Sequence, residues 1–186
     1  MSAADLTLVE LVPAHPSREA ALALIEVVST RAAAAGAEVI ESEVTGDGSR
    51  VFVVVEAPDG RGFAGTLRGT PIDGVTEITG PFPVRLVGAE LEAIKATRPQ
   101  AGYLVEWDLP EGLDMDTYLA RKKEKSPRYA QVPEVAFLRT YVREDMAKCL
   151  CLYNAPDEAA VKRARGAVDT PFDRLFALSP SAVTLP

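Results

Sequence analysis

The chain has 186 residues, a net charge of −7, 47% hydrophobic and 6% aromatic residues. That is room for one large domain or two small ones around an aliphatic core, and the acidic balance argues against nucleic acid as a general partner. No apolar run approaches the roughly 20 residues of a membrane helix. "MSAADLTLVE" lacks the basic start and apolar core of a signal peptide, so a cytoplasmic protein with no membrane partner is expected. Two cysteines in a CxC spacing, Cys149 and Cys151, fit a reducing compartment.

The first element is the extended run "LTLVELVP", ending at Pro13. "SREAALALIEVVSTRAAAAG" follows, with Ser17 as N-cap and Gly36 as stop. Its apolar positions Ala21, Leu24, Ile25, Val28, Ala32 and Ala35 share one helical face. "AEVIESEV", the turn "TGDGS" and "RVFVVVEAPD" read as a hairpin. Pro-Asp then ends the strand and opens a helix, although "DGRGFAGTLRG" is rich enough in glycine to predict only a short or irregular one. A last strand is predicted at "GVTEITG" or "PVRLVG", and "AELEAIKATRPQ" reads as a linking helix ended by Pro99.

The pattern then repeats. "GYLVEWDLP" is a strand, "DMDTYLARKKEKSPRY" a polar helix bent or ended by Pro127, and "VAFLRTYV", "REDMA" and "KCLCLYNAPD" a second hairpin. "DEAAVKRARGAV" is a helix and "DRLFALS" a strand. The two hairpins align without a gap at an offset of 98 residues: Val44 meets Val142, Arg50 meets Lys148, and Ala57-Pro58-Asp59 meets Ala155-Pro156-Asp157. The expected fold is therefore α+β: two tandem ferredoxin-like βαββαβ units packed as an intrachain pseudo-dimer, at residues 1–88 and 101–186, with a linker helix at 89–100. The halves differ in charge, residues 1–98 carrying a balance of −6 and residues 99–186 a balance of −1.

A ferredoxin-like sheet leaves one face bare of helices, and that face must meet water, a ligand or another sheet. Strict alternation groups Val135, Phe137, Arg139 and Tyr141 on it, with Glu41 and Glu43 at the duplicate positions of Arg139 and Tyr141. Facing sheets would make a mixed polar pocket, with Arg139 as anchor and Tyr141 and Tyr153 as walls. Glu10 and Glu106 are duplicated acids in the first strands, and a buried acid needs a partner. Cys149 and Cys151 share a face with Tyr153 and could ligate a soft metal, with His15 the sole histidine. "RKKEKSPR", Arg121 to Arg128, beside Tyr118 and Tyr129, could hold an anionic or phosphorylated ligand.

"YLVEWDLP", "LRTYVRED" and "KCLCLYNAPDEAAVKRAR" together resemble a family of small ferredoxin-like nickel-binding proteins widespread in actinobacteria. The signature is Cys151, Tyr153, Ala155 and Pro156, and the resemblance covers residues 102–178 well and 6–87 weakly. It implies nickel as a possible cofactor. Metal-binding members carry histidines about where this chain has Arg139 and Ala164, and a guanidinium cannot ligate a cation. The expectation is thus a relative without the metal ligands: a binding protein for a small molecule, with a possible homodimer, using Arg139, Tyr141, Tyr153, Glu41, Glu43 and Glu106. Two other classes stay open: a metal protein using Cys149, Cys151 or His15, and a cyclase- or isomerase-type enzyme with a pocket carboxylate as general base.

Overall fold

A computed structural model describes residues 5–180 of the chain. It is α+β, with antiparallel pairing in each of the sheets below. The chain divides into two compact units. The first comprises residues up to Val84, Glu92–Gln100 and the chain from Ser179; the second comprises Arg85–Leu91 and Ala101–Leu178. This division differs from cuts at residues 88 and 100.

In the first unit, β1 (Leu6–Pro13), β2 (Glu38–Val44), β3 (Val51–Glu56) and β4 (Val75–Val87) stand in the order β2-β3-β1-β4. The two alternative segments for the last strand are one strand, pairing with β1 from Val75 to Val84. Helix α1 (Arg18–Ala34) begins where the Ser17 side chain accepts a hydrogen bond from the Ala20 amide. It buries Ala21, Leu24, Ile25, Val28 and Ala32 against Val9, Leu11, Val51, Val53 and Val55.

Helix α2 (Gly60–Arg68) corrects the expectation drawn from its glycines: it is a regular nine-residue helix. Asp59 caps it through the Gly62 amide, and Phe63 and Leu67, one turn apart, are fully buried in the same core. Tertiary burial outweighs the glycine cost of about 1 kcal/mol per residue. Helix α3 (Leu91–Thr97) buries Ile94, and from it Lys95 reaches Glu56 (2.7 Å) and Glu38 (3.4 Å) of the first unit.

In the second unit, β5 (Tyr103–Asp108), β6 (Ala136–Arg143), β7 (Lys148–Asn154) and β8 (Arg174–Ala177) stand in the order β6-β7-β5-β8, the same topology. Helix α4 (Met115–Lys125) is capped by Asp114 and runs into a 3-10 turn (Ser126–Gln131) at Pro127. Helix α5 (Glu158–Ala167) is capped by Asp157. The core on the helix side holds Val105, Val142, Cys149, Cys151, Tyr153, Val161 and Ala164.

Strict alternation fails in β6. A register shift between Phe137 and Arg139 inserts one residue. Phe137 therefore shares the helix-bearing face with Thr140 and Val142, while Arg139 and Tyr141 turn to the opposite face. β2 carries the same shift between Val39 and Glu41, again 98 residues earlier. Across the helix-free faces, Glu10 lies opposite Phe52 in the register and Arg50 meets it at 3.8 Å, while Glu106 lies opposite Leu150 and Lys148 meets it at 2.8 Å.

Candidate functional site

The cavity that stands out lies wholly within the second unit, on the helix-bearing side of its sheet, with a volume of about 250 Å³. Three elements build its polar wall. On α4, Tyr118, Arg121, Lys122 and Lys125 recur at helical spacing, so one face carries a ring and three cations where an apolar stripe would normally sit. The 3-10 turn supplies Tyr129, and α5 supplies Arg165. Trp107 of β5 closes the base, its ring 6.2 Å from that of Tyr118. Asp169 is the sole carboxylate among the described lining residues, and Lys125 pairs with it at 3.2 Å.

Arg165 governs the electrostatics. It is 3% exposed, and its Nη1 donates to the Tyr153 hydroxyl (3.2 Å) and toward Cys151 Sγ (3.6 Å), while Nη2 donates to the Pro171 carbonyl. Its Nε has no hydrogen-bond partner, and no carboxylate pairs with the guanidinium among the described residues. Tyr153 and Tyr129 share a 2.8 Å hydrogen bond, and Tyr129 stacks on Phe137 at 5.4 Å. Lys122 donates to Thr140 (3.1 Å) and sits 4.2 Å over the Phe137 ring. Thr140 in turn donates to Cys151 Sγ (3.2 Å). A continuous polar chain thus runs behind the cavity wall.

Burial pushes the Tyr118, Tyr129 and Tyr153 hydroxyls above their ordinary range, so all three stay protonated. The hydrogen bond from Cys149, with the charges of Arg165 and Lys122, holds the Cys151 thiol well below its ordinary value. Cys149, the donor of that bond and itself buried, is pushed up. Burial works against the Arg165 charge, but Cys151 and Tyr153 outweigh it and the group stays cationic.

Cys151 and Tyr153 of the signature therefore lie directly behind the lining residues Arg165 and Tyr129. Residues 103–177 match the family of SCO4226-like nickel responsive proteins. The resemblance read from the sequence holds over this C-terminal half. No curated protein matches the chain. Among solved structures, the chain resembles TA0507, described as a chlorite dismutase, at 14% identity, with 95% of each chain covered and a TM-score of 0.50. It also resembles a protein from Lactobacillus acidophilus NCFM described as a monooxygenase, at 12% identity, covering 94% of this chain and 92% of that one, with a TM-score of 0.50. At such identities the likeness concerns fold alone.

The family name implies nickel, and the side chains present do not fit that ion. No group of three His, Cys, Asp or Glu residues able to hold a metal occurs among the described residues. His15 is exposed in a loop of the first unit. Where the resemblance implies histidines stand a buried guanidinium, Arg139, and a buried methyl, Ala164. The two thiols are the remaining donors, and Arg165 lies 3.6 Å from one of them.

Of the residues singled out in the sequence, Tyr118, Tyr129 and the cationic run from Arg121 line the cavity itself, and Tyr153 and Cys151 touch its wall, Tyr153 through Tyr129 and Arg165 and Cys151 through Arg165. Arg139 and Tyr141 are buried on the helix-free face of the second sheet, away from the cavity. Glu41 and Glu43 occupy the helix-free face of the first sheet, half-buried and buried respectively. Glu106 is fully buried and engaged by Lys148 and by Arg174, which also binds Asp108. Sequence reasoning missed Trp107 and Arg165. The signal for Arg165 was a charged residue in the apolar stripe Ala160, Val161, Ala164, Val168 of α5.

Proposed function

We propose that the protein is a non-catalytic binding protein whose second unit holds a small organic anion in the cavity between α4, α5 and the 3-10 turn. The observation that carries this reading is Arg165: a buried guanidinium with an unused N–H and no carboxylate partner. A buried charge is costly unless paired, so a site that retains one calls for an anion. Lys122 adds a second positive charge, and Trp107, Tyr118 and Tyr129 offer ring surface to the organic body of the ligand. The mix of apolar walls and few convergent polar groups is the usual make-up of a small-molecule site.

The chain also reads as a tandem duplication. The shared strand order, the bulges 98 residues apart and the recurring acid–cation pairs support that reading. The divergence then lies in the helices, where only the second copy has the cationic face on its first helix.

The test uses the sole tryptophan, Trp107. Titration with 4-chlorobenzoate should change its fluorescence saturably, and the neutral 4-chlorobenzyl alcohol should bind at least tenfold more weakly, the loss of about one charge-assisted hydrogen bond. Equal affinity for acid and alcohol, or no saturable response to the acid, defeats the proposal.

A further inference from the structure

We infer that the ligand of this cavity is a phosphate monoester carried on a single aromatic ring, taken up as its dianion, and that Lys122 is the residue that selects the second charge. This rests on the anion-binding reading above and adds the charge, the head group and the body of the ligand.

The described lining residues carry four cations, Arg121, Lys122, Lys125 and Arg165, against one carboxylate, Asp169. Asp169 pairs with Lys125 at 3.2 Å, and Arg121 is exposed. Arg165 and Lys122 remain as the cations of the inner wall. Lys122 is half-buried, and its ammonium has three N–H donors. Its contacts among the described residues are one hydrogen bond to the Thr140 hydroxyl (3.1 Å) and the face of the Phe137 ring (4.2 Å), with no carboxylate. A monoanion on Arg165 leaves that second, partly buried charge without a partner, whereas a dianion meets both. This holds in either state of Cys151 behind the wall: with a thiol there the lining has three positive charges in excess, and with a thiolate it has two.

The two cations flank one patch of wall. Lys122 Nζ meets Thr140 Oγ1, Thr140 meets Cys151 Sγ at 3.2 Å, and Cys151 meets Arg165 Nη1 at 3.6 Å. Charges so placed suit one doubly charged head group better than two carboxylates at opposite ends of a ligand. A phosphate monoester offers that charge near neutral pH together with three acceptor oxygens. Those oxygens can serve the unused Arg165 Nε–H and a spare N–H of Lys122. The rings beside the guanidinium set the body of the ligand. Arg165 Cζ lies 6.0 Å from the centre of the Trp107 ring, and the Tyr118 ring lies 6.2 Å from that of Trp107. Aromatic surface adjoining the anion subsite favours a flat ring attached directly to the phosphate. The cavity volume of about 250 Å³, below the roughly 300–1,000 Å³ of drug-sized sites, leaves room for one such ring.

The experiment is calorimetric titration of the full chain with ligands built on one ring. These are 4-chlorophenyl phosphate; 4-chlorophenyl sulfate, which has the same tetrahedral shape and one charge fewer; and terephthalate, whose two charges sit at opposite ends. The phosphate should bind at least about tenfold more tightly than either of the others. Lys122→Met should cut its preference over the sulfate to less than about threefold. Lys162→Met makes the same change of net charge at an exposed residue of α5 outside the cavity, and should leave the preference intact. Saturable binding of phosphate and sulfate with equal affinity overturns this inference and leaves the anion site standing. Terephthalate binding as tightly as the phosphate overturns the single head group, and a preference that survives Lys122→Met overturns the assignment to Lys122. No saturable binding of the phosphate, the sulfate or 4-chlorobenzoate overturns both this inference and the anion site. Should Lys122→Met fail to fold, acetylation of the wild-type protein by acetic anhydride decides, read by peptide mass spectrometry: 4-chlorophenyl phosphate should protect Lys122, and unchanged labelling there refutes the assignment.

Discussion

Replacing Arg165 by Met should separate ligand affinity from stability. The side chains are similar in volume, so the space beside Tyr153 and Pro171 stays filled. Three contacts are lost, to the Tyr153 hydroxyl, Cys151 Sγ and the Pro171 carbonyl. Hydrogen bonds from a charged donor contribute about 1.5–3 kcal/mol each. Against that, the guanidinium is 3% exposed, and burying an ion costs several kcal/mol. Tyr153 keeps its bond to Tyr129, so only the Pro171 carbonyl is orphaned. The opposing terms nearly cancel, and Arg165→Met should change unfolding free energy by less than about 1.5 kcal/mol. Affinity for 4-chlorobenzoate should fall by about 10–100-fold, the loss of one charge-assisted contact. Urea unfolding and ligand titration, both read by Trp107 fluorescence, give the two numbers. Destabilisation above about 3 kcal/mol with little change in affinity would refute the reasoning, because Arg165 would then be a structural residue.

Two further outcomes test the acid–cation pairs of the second unit. Glu106→Ala should destabilise by about 3 kcal/mol, because it removes the fully buried carboxylate that pairs with Lys148 at 2.8 Å, while Arg174 can turn to Asp108. In thermal unfolding that is a drop of about 6–12 °C, and a drop under about 2 °C would contradict the pairing. Acid should destabilise the fold through Asp108 and Asp145, which hydrogen bonds from Arg174 and Arg143 hold below the ordinary carboxylate range. Such groups stabilise the folded state fully above the unfolded value of about 3.9 and lose that contribution as pH falls through the lower folded values. The urea midpoint should therefore decline below about pH 4, less steeply in Asp108→Asn/Asp145→Asn; an identical slope in that variant would count against the assignment.

Much of the α+β architecture was legible in the chain because its signals are local. Pro13, the Ser17 cap, the "TGDGS" turn and the two Ala-Pro-Asp boundaries each fix a backbone geometry within a few residues, and structure and expectation meet there. The glycines of α2 misled, since the burial of Phe63 and Leu67 that holds the helix depends on a distant partner surface. The bulge before Arg139 was also invisible: one inserted residue reverses the face of what precedes it, and no residue type announces it.

The site divides along the same line. The cationic run of α4, its neighbouring tyrosines and the Cys-x-Tyr signature are written in the sequence as composition and spacing. The sequence by itself determined the strands, caps and turns and the offset between the two hairpins, since each is a matter of neighbours along the chain. Only the tertiary structure decided that α4 turns its cations toward α5, that Trp107 lies beneath them, and that Arg165 meets a thiol instead of a carboxylate. Those meetings join residues tens of positions apart, and their energies come from burial and charge pairing, which exist only once the helices are packed on the sheet.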